Sequence, residues 1–203
     1  MIDRRFFFDG VRRPLFGGRL RQAQVDGMTA ILDRWERGMP EGDLRFLAYM
    51  LATAHHETGR TMQAVRETFA ATDAAAISRL ERAFRAGRLR GVRTPYWRRD
   101  ADGKSWLGRG LVQLTHRENY ARMSAETGID LVADPEKAME LDVAAAILVV
   151  GMVKGCFTGR RLADCFSAGK EDWNGARRIV NGMDRAALIG TYGKAYRGAL
   201  RRA

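Results

Sequence analysis

Glu57 is the residue from which this chain can be read as a catalyst. It stands near the end of the segment DLRFLAYMLATAHHETGR, Asp43 to Arg60. Phe46, Leu47, Tyr49, Met50 and Leu51 leave that run no wide polar face, so it reads as a helix buried on nearly all sides. A carboxylate in the last turn of a helix meets the negative end of the macrodipole, where a cation would be favoured. Burial disfavours the charged form as well. Both effects point to a Glu57 that keeps its proton near neutral pH, the state a general acid needs. The plainer alternative is a helix-end glutamate paired with one of the chain's 35 lysines and arginines.

Cleavage of a glycosidic bond by water needs a second carboxylate, about 6.5 to 9.5 Å from the first if the anomeric centre is inverted. Glu67 ranks first for that role. On one continuous helix it would lie about 15 Å from Glu57 along the axis. Gly59 must therefore break the helix and let the chain fold back. Asp100, Asp102 and Glu118 are weaker choices: the first two could bind sugar hydroxyls, and the third could cap a helix beginning near His116. Between Arg88 and Gly110 the non-periodic run RLRGVRTPYWRRDADGKSWLGRG reads as a structured loop, where Tyr96, Trp97 and Trp106 could stack on sugar rings. Further on, Gly108 and Gly110 flank Arg109 and permit a tight backbone path. Gln113, Thr115 and Asn119 are short polar groups suited to sugar hydroxyls and acetamides, although a turn and an N-capped helix would explain the same run.

Helices must position these residues, because helical periodicity dominates and strand-like alternation is nearly absent. The all-α pattern places helices at about 21–37, 43–57, 73–86, 116–127, 135–154, 171–180 and 184–201. Asp43, Asp73 and Asp134 followed by Pro135 read as starts, and Gly38, Gly59, Gly87 and Gly128 as ends. No repeat or linker divides the chain, so one catalytic domain over residues 1–203 is expected.

His56 is expected to pack beside the acid and contact substrate there, not to catalyse. Arg60 stands where the zinc helix H-E-x-x-H needs its second histidine, so no metal is expected, and no phosphate or dinucleotide fingerprint calls for a cofactor. Cys156 and Cys165 read as buried thiols. A net charge of +11 favours anionic partners, such as nucleic acid, acidic lipid or bacterial wall. The last helix, with Arg185, Lys194, Arg197, Arg201 and Arg202, is expected to bury Leu188, Ile189, Tyr192, Tyr196 and Leu200 and turn its basic face to an anionic wall or outer-leaflet surface. The start, MIDRRFFFDGVRRPLF, lacks the apolar core of a signal peptide, and the apolar run Val143 to Val153 is too short to span a bilayer. A soluble protein made in the cytoplasm, acting on the wall after release or export by a partner, is the expectation.

The order AHHETGR, Glu67, GRGLVQLTHRENY and ARRIVNGMD, from about Phe46 to Asp184, resembles the family 19 chitinases and the related phage endolysins of the lysozyme-like superfamily. The resemblance implies a lysozyme-like helical fold with a substrate cleft between two lobes. It makes Glu57 the general acid, Glu67 the activator of water and Thr115 its helper. Arg109, Gln113, Asn119 and Tyr120 would line the cleft, and Asn181 would orient an N-acetyl group or the base. The loop between the acids is much shorter here than in plant chitinases, and their disulfides are missing. The compact basic form is closer to members that attack peptidoglycan, so a monomer acting on peptidoglycan or a chitin-like polysaccharide is implied. Alternatives are a chitinase on chitin oligomers, a lytic transglycosylase, or a basic helical protein binding nucleic acid through Leu107 to Ile129. The last would bind DNA independently of Glu57, whereas the enzyme reading expects no nucleic acid.

Overall fold

The computed structural model describes residues 1–203. The chain is mostly helical. Seven α-helices are joined by short 3-10 turns and four two-residue strands: α1 (Arg4–Phe16), α2 (Gln22–Gly38), α3 (Leu44–Glu57), β1 (Val65–Arg66), α4 (Asp73–Arg85), β2 (Arg109–Gly110), α5 (Arg117–Thr127), α6 (Leu141–Lys154), β3 (Phe166–Ser167), β4 (Lys170–Glu171) and α7 (Ala186–Gly198). No helix is long and apolar enough to cross a membrane.

Helix α3 occupies the centre, and every residue from Leu47 to His55 is buried. Asp43 caps it by accepting from the Arg45 amide. Helix α7 lies along α3, α6 lies against α2, and α1 packs against α7. Close approach of α7 depends on its glycines: a Cβ at Gly193 would stand 2.7 Å from the Trp173 ring, and one at Gly190 2.7 Å from Asn174 Oδ1. Leu188 is 40% exposed, against expectation, because Gly190 and Gly193 turn the neighbouring face inward with Ile189 and Tyr196.

Two apolar clusters result. The main one joins the long helices, and a smaller one gathers Ala70, Ala76, Leu80, Trp97 and Leu107 beneath α4. Strands β1 and β2 pair antiparallel between them, with Val65 opposite Gly110 and Arg66 opposite Arg109.

Several expected elements differ. Helix α1 was not expected, since arginines and Pro14 interrupt its apolar pattern. It forms with Asp3 accepting from the Phe6 amide, with Phe7, Val11 and Leu15 buried at helical spacing, and with Gly17 in the left-handed conformation as cap. The run 135–154 splits: Asp134 and Pro135 start a 3-10 turn to Met139, and extended Glu140 precedes α6. The run 171–180 is β4 followed by a 3-10 turn, Gly175–Ile179, with Asp172 accepting from the Gly175 amide. Thr72, not Asp73, caps α4. Gly38 is the last residue of α2, not a left-handed cap.

The chain ends meet: Ile2 bridges Arg202, and Arg201 pairs with Asp3 at 2.7 Å. Arg201 and Arg202 are thus partly engaged by Asp3 and Glu41, leaving less of the basic face for an outside surface than expected. Cys156 and Cys165 are buried free thiols, and burial raises the pKa of both.

Inside the main cluster His55 is fully buried, with Nδ1 3.0 Å from the Tyr196 hydroxyl and no partner on Nε2. Burial, then the charges of Arg60 and His56, push its pKa down to about 4. A histidine that stays neutral when folded but charges when unfolded gives stability that is complete above its unfolded pKa and is lost as pH falls from there to about 4. The expected loss is about 2 kcal/mol between pH 6.5 and 5. Denaturant titrations of the wild type and His55→Asn at both pH values check this. An equally steep loss in the variant would remove His55 as the cause.

Candidate active site

Helix α3 delivers Glu57 at its last position. Beyond it the backbone reverses, with Gly59, Arg60 and Met62 at φ 55°, 69° and 56°. Buried Thr58 ties the reversal: its hydroxyl donates to the Ala54 carbonyl (2.7 Å) and accepts from the Met62 amide (3.0 Å). The chain then enters β1 and reaches Glu67, whose amide donates to the Gly108 carbonyl at 2.7 Å. Phe69, two residues later, comes back over the start of the turn. Its ring edge would lie 3.2 Å from a Cβ at Gly59. The two carboxylates therefore stand at the two ends of one closed reversal, not along one helix axis.

Glu57 does pair with an arginine. Arg177, only 3% exposed, donates from Nη1 to Glu57 Oε1 at 2.6 Å, while its Nε donates to the Asp184 carbonyl at 3.2 Å. No protein group bonds to Glu57 Oε2. His56 is half-buried beside it. Burial lowers the His56 pKa against the opposing pull of Glu57, so the ring is neutral at pH 7. Asn181 is exposed, and its amide N–H donates to the Arg177 carbonyl at 3.1 Å. Its side-chain oxygen is taken by the Gly182 amide at 2.8 Å.

Glu67 is held by two donors from the loop that precedes and includes Gly108. Tyr96 donates its hydroxyl to Oε1 at 2.7 Å, and the Gly108 amide donates to Oε2 at 2.8 Å. Burial first, then the Glu67 charge and hydrogen bond, raises the Tyr96 pKa, so the phenol stays a donor. Gly108 is required here, since a Cβ would stand 2.8 Å from Gln113 Oε1 and 3.3 Å from the Glu67 side chain. Gln113, at φ 55°, donates to the Val65 carbonyl at 2.9 Å and so fastens the loop to β1. Thr115 is half-buried and its hydroxyl has no protein partner. Asn119 donates to the Thr115 carbonyl at 2.8 Å.

Four expected sugar contacts are structural instead. Trp97 is fully buried, donating to Glu81 at 3.2 Å and meeting Phe84 edge-on. Trp106 is 6% exposed and donates to Asp100 at 2.9 Å. Arg109 is 1% exposed; it pairs with Asp73 and donates to Tyr120 Oη at 2.9 Å. Tyr120 is fully buried and donates to the Leu107 carbonyl at 2.8 Å. Asp100 is likewise spent inside its loop, accepting from the Asp102 and Lys104 amides. Of the loop aromatics, half-buried Tyr96 reaches a candidate acid.

Arg177 and Phe69 carry no signal that spacing could have isolated. Phe69 is 61% exposed at φ 52°. Six of the seven non-glycine residues with positive φ, Arg60, Met62, Thr68, Phe69, Gln113 and His116, flank the two acids, and such backbone strain gathers at functional sites. No group of three or more His, Cys, Asp or Glu is arranged to hold a metal ion. No model of a known protein family matches this chain, and no curated protein matches it in sequence.

Proposed function

We propose that this chain is an inverting glycoside hydrolase of lysozyme-like plan. It would cleave β-1,4 bonds of an N-acetylhexosamine polymer, foremost bacterial peptidoglycan, in a cleft between the two apolar clusters. The observation that carries the reading is the closed reversal with Glu57 at one end and Glu67 at the other, where the Phe69 ring returns to within 3.2 Å of the place a Cβ on Gly59 would take. Glu57, through the oxygen that Arg177 leaves free, would protonate the leaving oxygen. Arg177 then steadies the carboxylate left behind. Glu67, aligned by Tyr96 and Gly108, would take a proton from the attacking water, which the free Thr115 hydroxyl orients.

The test is clearing of outer-membrane-stripped bacterial cells beside cleavage of chitin oligomers, with mass spectra of the released fragments. Products that carry the added water support hydrolysis. Anhydro-sugar ends would indicate a transglycosylase, and activity on chitin oligomers alone would indicate a chitinase.

Within this reading Glu67→Ala should cut kcat by at least about a hundredfold, the scale of a lost general base, with KM little changed. Thr115→Ala should cost less, Thr115→Ser almost nothing, and the Glu67–Thr115 double variant far less than the product of the singles. Near-wild-type kcat in folded Glu67→Ala, or first release of the β-anomer, would reassign the second carboxylate.

A further inference from the structure

A cavity of about 350 Å³ opens where the end of α1, the start of α2 and the reversal after α3 meet. Arg19, Arg21 and Arg60 all line it, and no aspartate or glutamate does. A second hollow shares Arg19, and a third shares Gly59 and Arg60 and reaches His56; neither is lined by an acidic residue.

The walls are fastened to each other. Gln24 Oε1 accepts from the Arg21 amide at 2.9 Å, while its Nε2 donates to the Arg60 carbonyl at 2.9 Å. Below them Gly27 lies so near the reversal that a Cβ would stand 1.6 Å from the Met62 carbonyl oxygen. Arg19, Arg21 and Arg60 take part in none of the chain's ion pairs. Their neighbour Arg12, in the second hollow, is matched by Asp9 at 3.1 Å. Cations gathered without a carboxylate repel one another and raise the local potential, a condition that a bound anion relieves. The position is significant, because Gly59 and Arg60 lie two and three residues beyond Glu57.

We propose that this cavity is a subsite for an oxyanion carried by the polymer, a carboxylate or phosphate substituent. Through it the protein selects charged glycan over neutral glycan. The inference rests on the glycosidase reading and sharpens its substrate class. A polymer seated at Glu57 would pass its acidic side group to Arg60, Arg19 and Arg21, whereas chitin has no such group to offer.

Titration calorimetry on the full chain, with Glu57→Gln to prevent turnover, tests this with three probes: a disaccharide tetrapeptide from peptidoglycan, a chitin tetramer and a glycerol-phosphate oligomer. At low salt an acidic probe should bind about tenfold tighter than the chitin tetramer, the scale of three exposed ion pairs. The margin should shrink at about 0.5 M salt, where screening is strong. It should vanish in R19A/R21A/R60A with chitin-tetramer binding unchanged, and R19E/R60E should reverse it. A margin confined to the muropeptide identifies a carboxylate source, and one confined to the glycerol-phosphate oligomer a phosphate source. A margin that survives both variants overturns the site, as does a DNA duplex that displaces every probe and is lost in the same variants. Wild-type protein that cleaves no glycan yet keeps the margin would sink the catalytic reading alone.

Discussion

Glu57→Gln should leave a folded protein whose release of glycan fragments falls at least about a hundredfold, because the amide keeps the shape of the acid and has no proton to give. The fold should tolerate the change, since the amide oxygen can still accept from Arg177. Exchange of a charge-assisted bond for a neutral one costs about 1–2 kcal/mol. Arg177→Ala probes the same pair from the other side. It leaves the proton donor in place but strips the carboxylate of its hydrogen bond and counter-charge, so a smaller loss of kcat is expected together with a changed pH profile. Thermal melts and initial rates on purified wall material separate stability from chemistry. A folded Glu57→Gln that kept more than about a tenth of the wild-type rate would remove Glu57 from the chemical step.

The helix that carries Glu57 was legible because its apolar residues leave no polar face and Asp43 stands at its start. The reversal behind it was legible only as a geometric need: Gly59 could break the helix, but the closure made by the Thr58 hydroxyl and left-handed Met62 has no one-residue signature. Arg177 lies 120 residues from its partner, and nothing local distinguishes it from the other arginines. The aromatic loop misled for a definite reason. Tryptophans beside arginine, aspartate and glycine look alike whether they face a sugar or a second apolar cluster, and Glu81 and Phe84 of α4 draw Trp97 inward. Composition favours helix at 135–154 and 171–180, but Asp134 and Asp172 accept from nearby amides and turn both stretches early. The same type of side-chain cap that marks a helix start can also mark a turn.

Asp73→Ala should destabilise the fold by about 3–5 kcal/mol, the cost of leaving a buried charge without its partner. Asp73 stands between Arg66, 2.8 Å from its Oδ1, and Arg109, which meets its Oδ2. Arg109 also donates to the Ser105 carbonyl and to Tyr120, but those partners are neutral, and the next carboxylate, Glu136, is 3.6 Å away. Burial would lift the Asp73 pKa, yet the charge and hydrogen bonds of Arg109, with Arg66, hold it below the usual 3.8. A carboxylate depressed in this way contributes stability that is complete above its unfolded pKa and is lost as pH falls through the folded one. Wild-type acid unfolding should therefore steepen below about pH 4. In Asp73→Ala the stability should already be low at pH 7, with that limb flattened. Because β2 carries Arg109 and the adjacent Gly108 holds Glu67, the variant should also loosen the second acid, so activity should fall before global unfolding. Pairing the change with Arg109→Met should recover part of the stability, since it removes the stranded charge. Urea titrations of the four proteins at pH 7 form a double-mutant cycle. Additive losses would mean that the two side chains do not rely on each other, and the link between this buried pair and the position of Glu67 would fail with them.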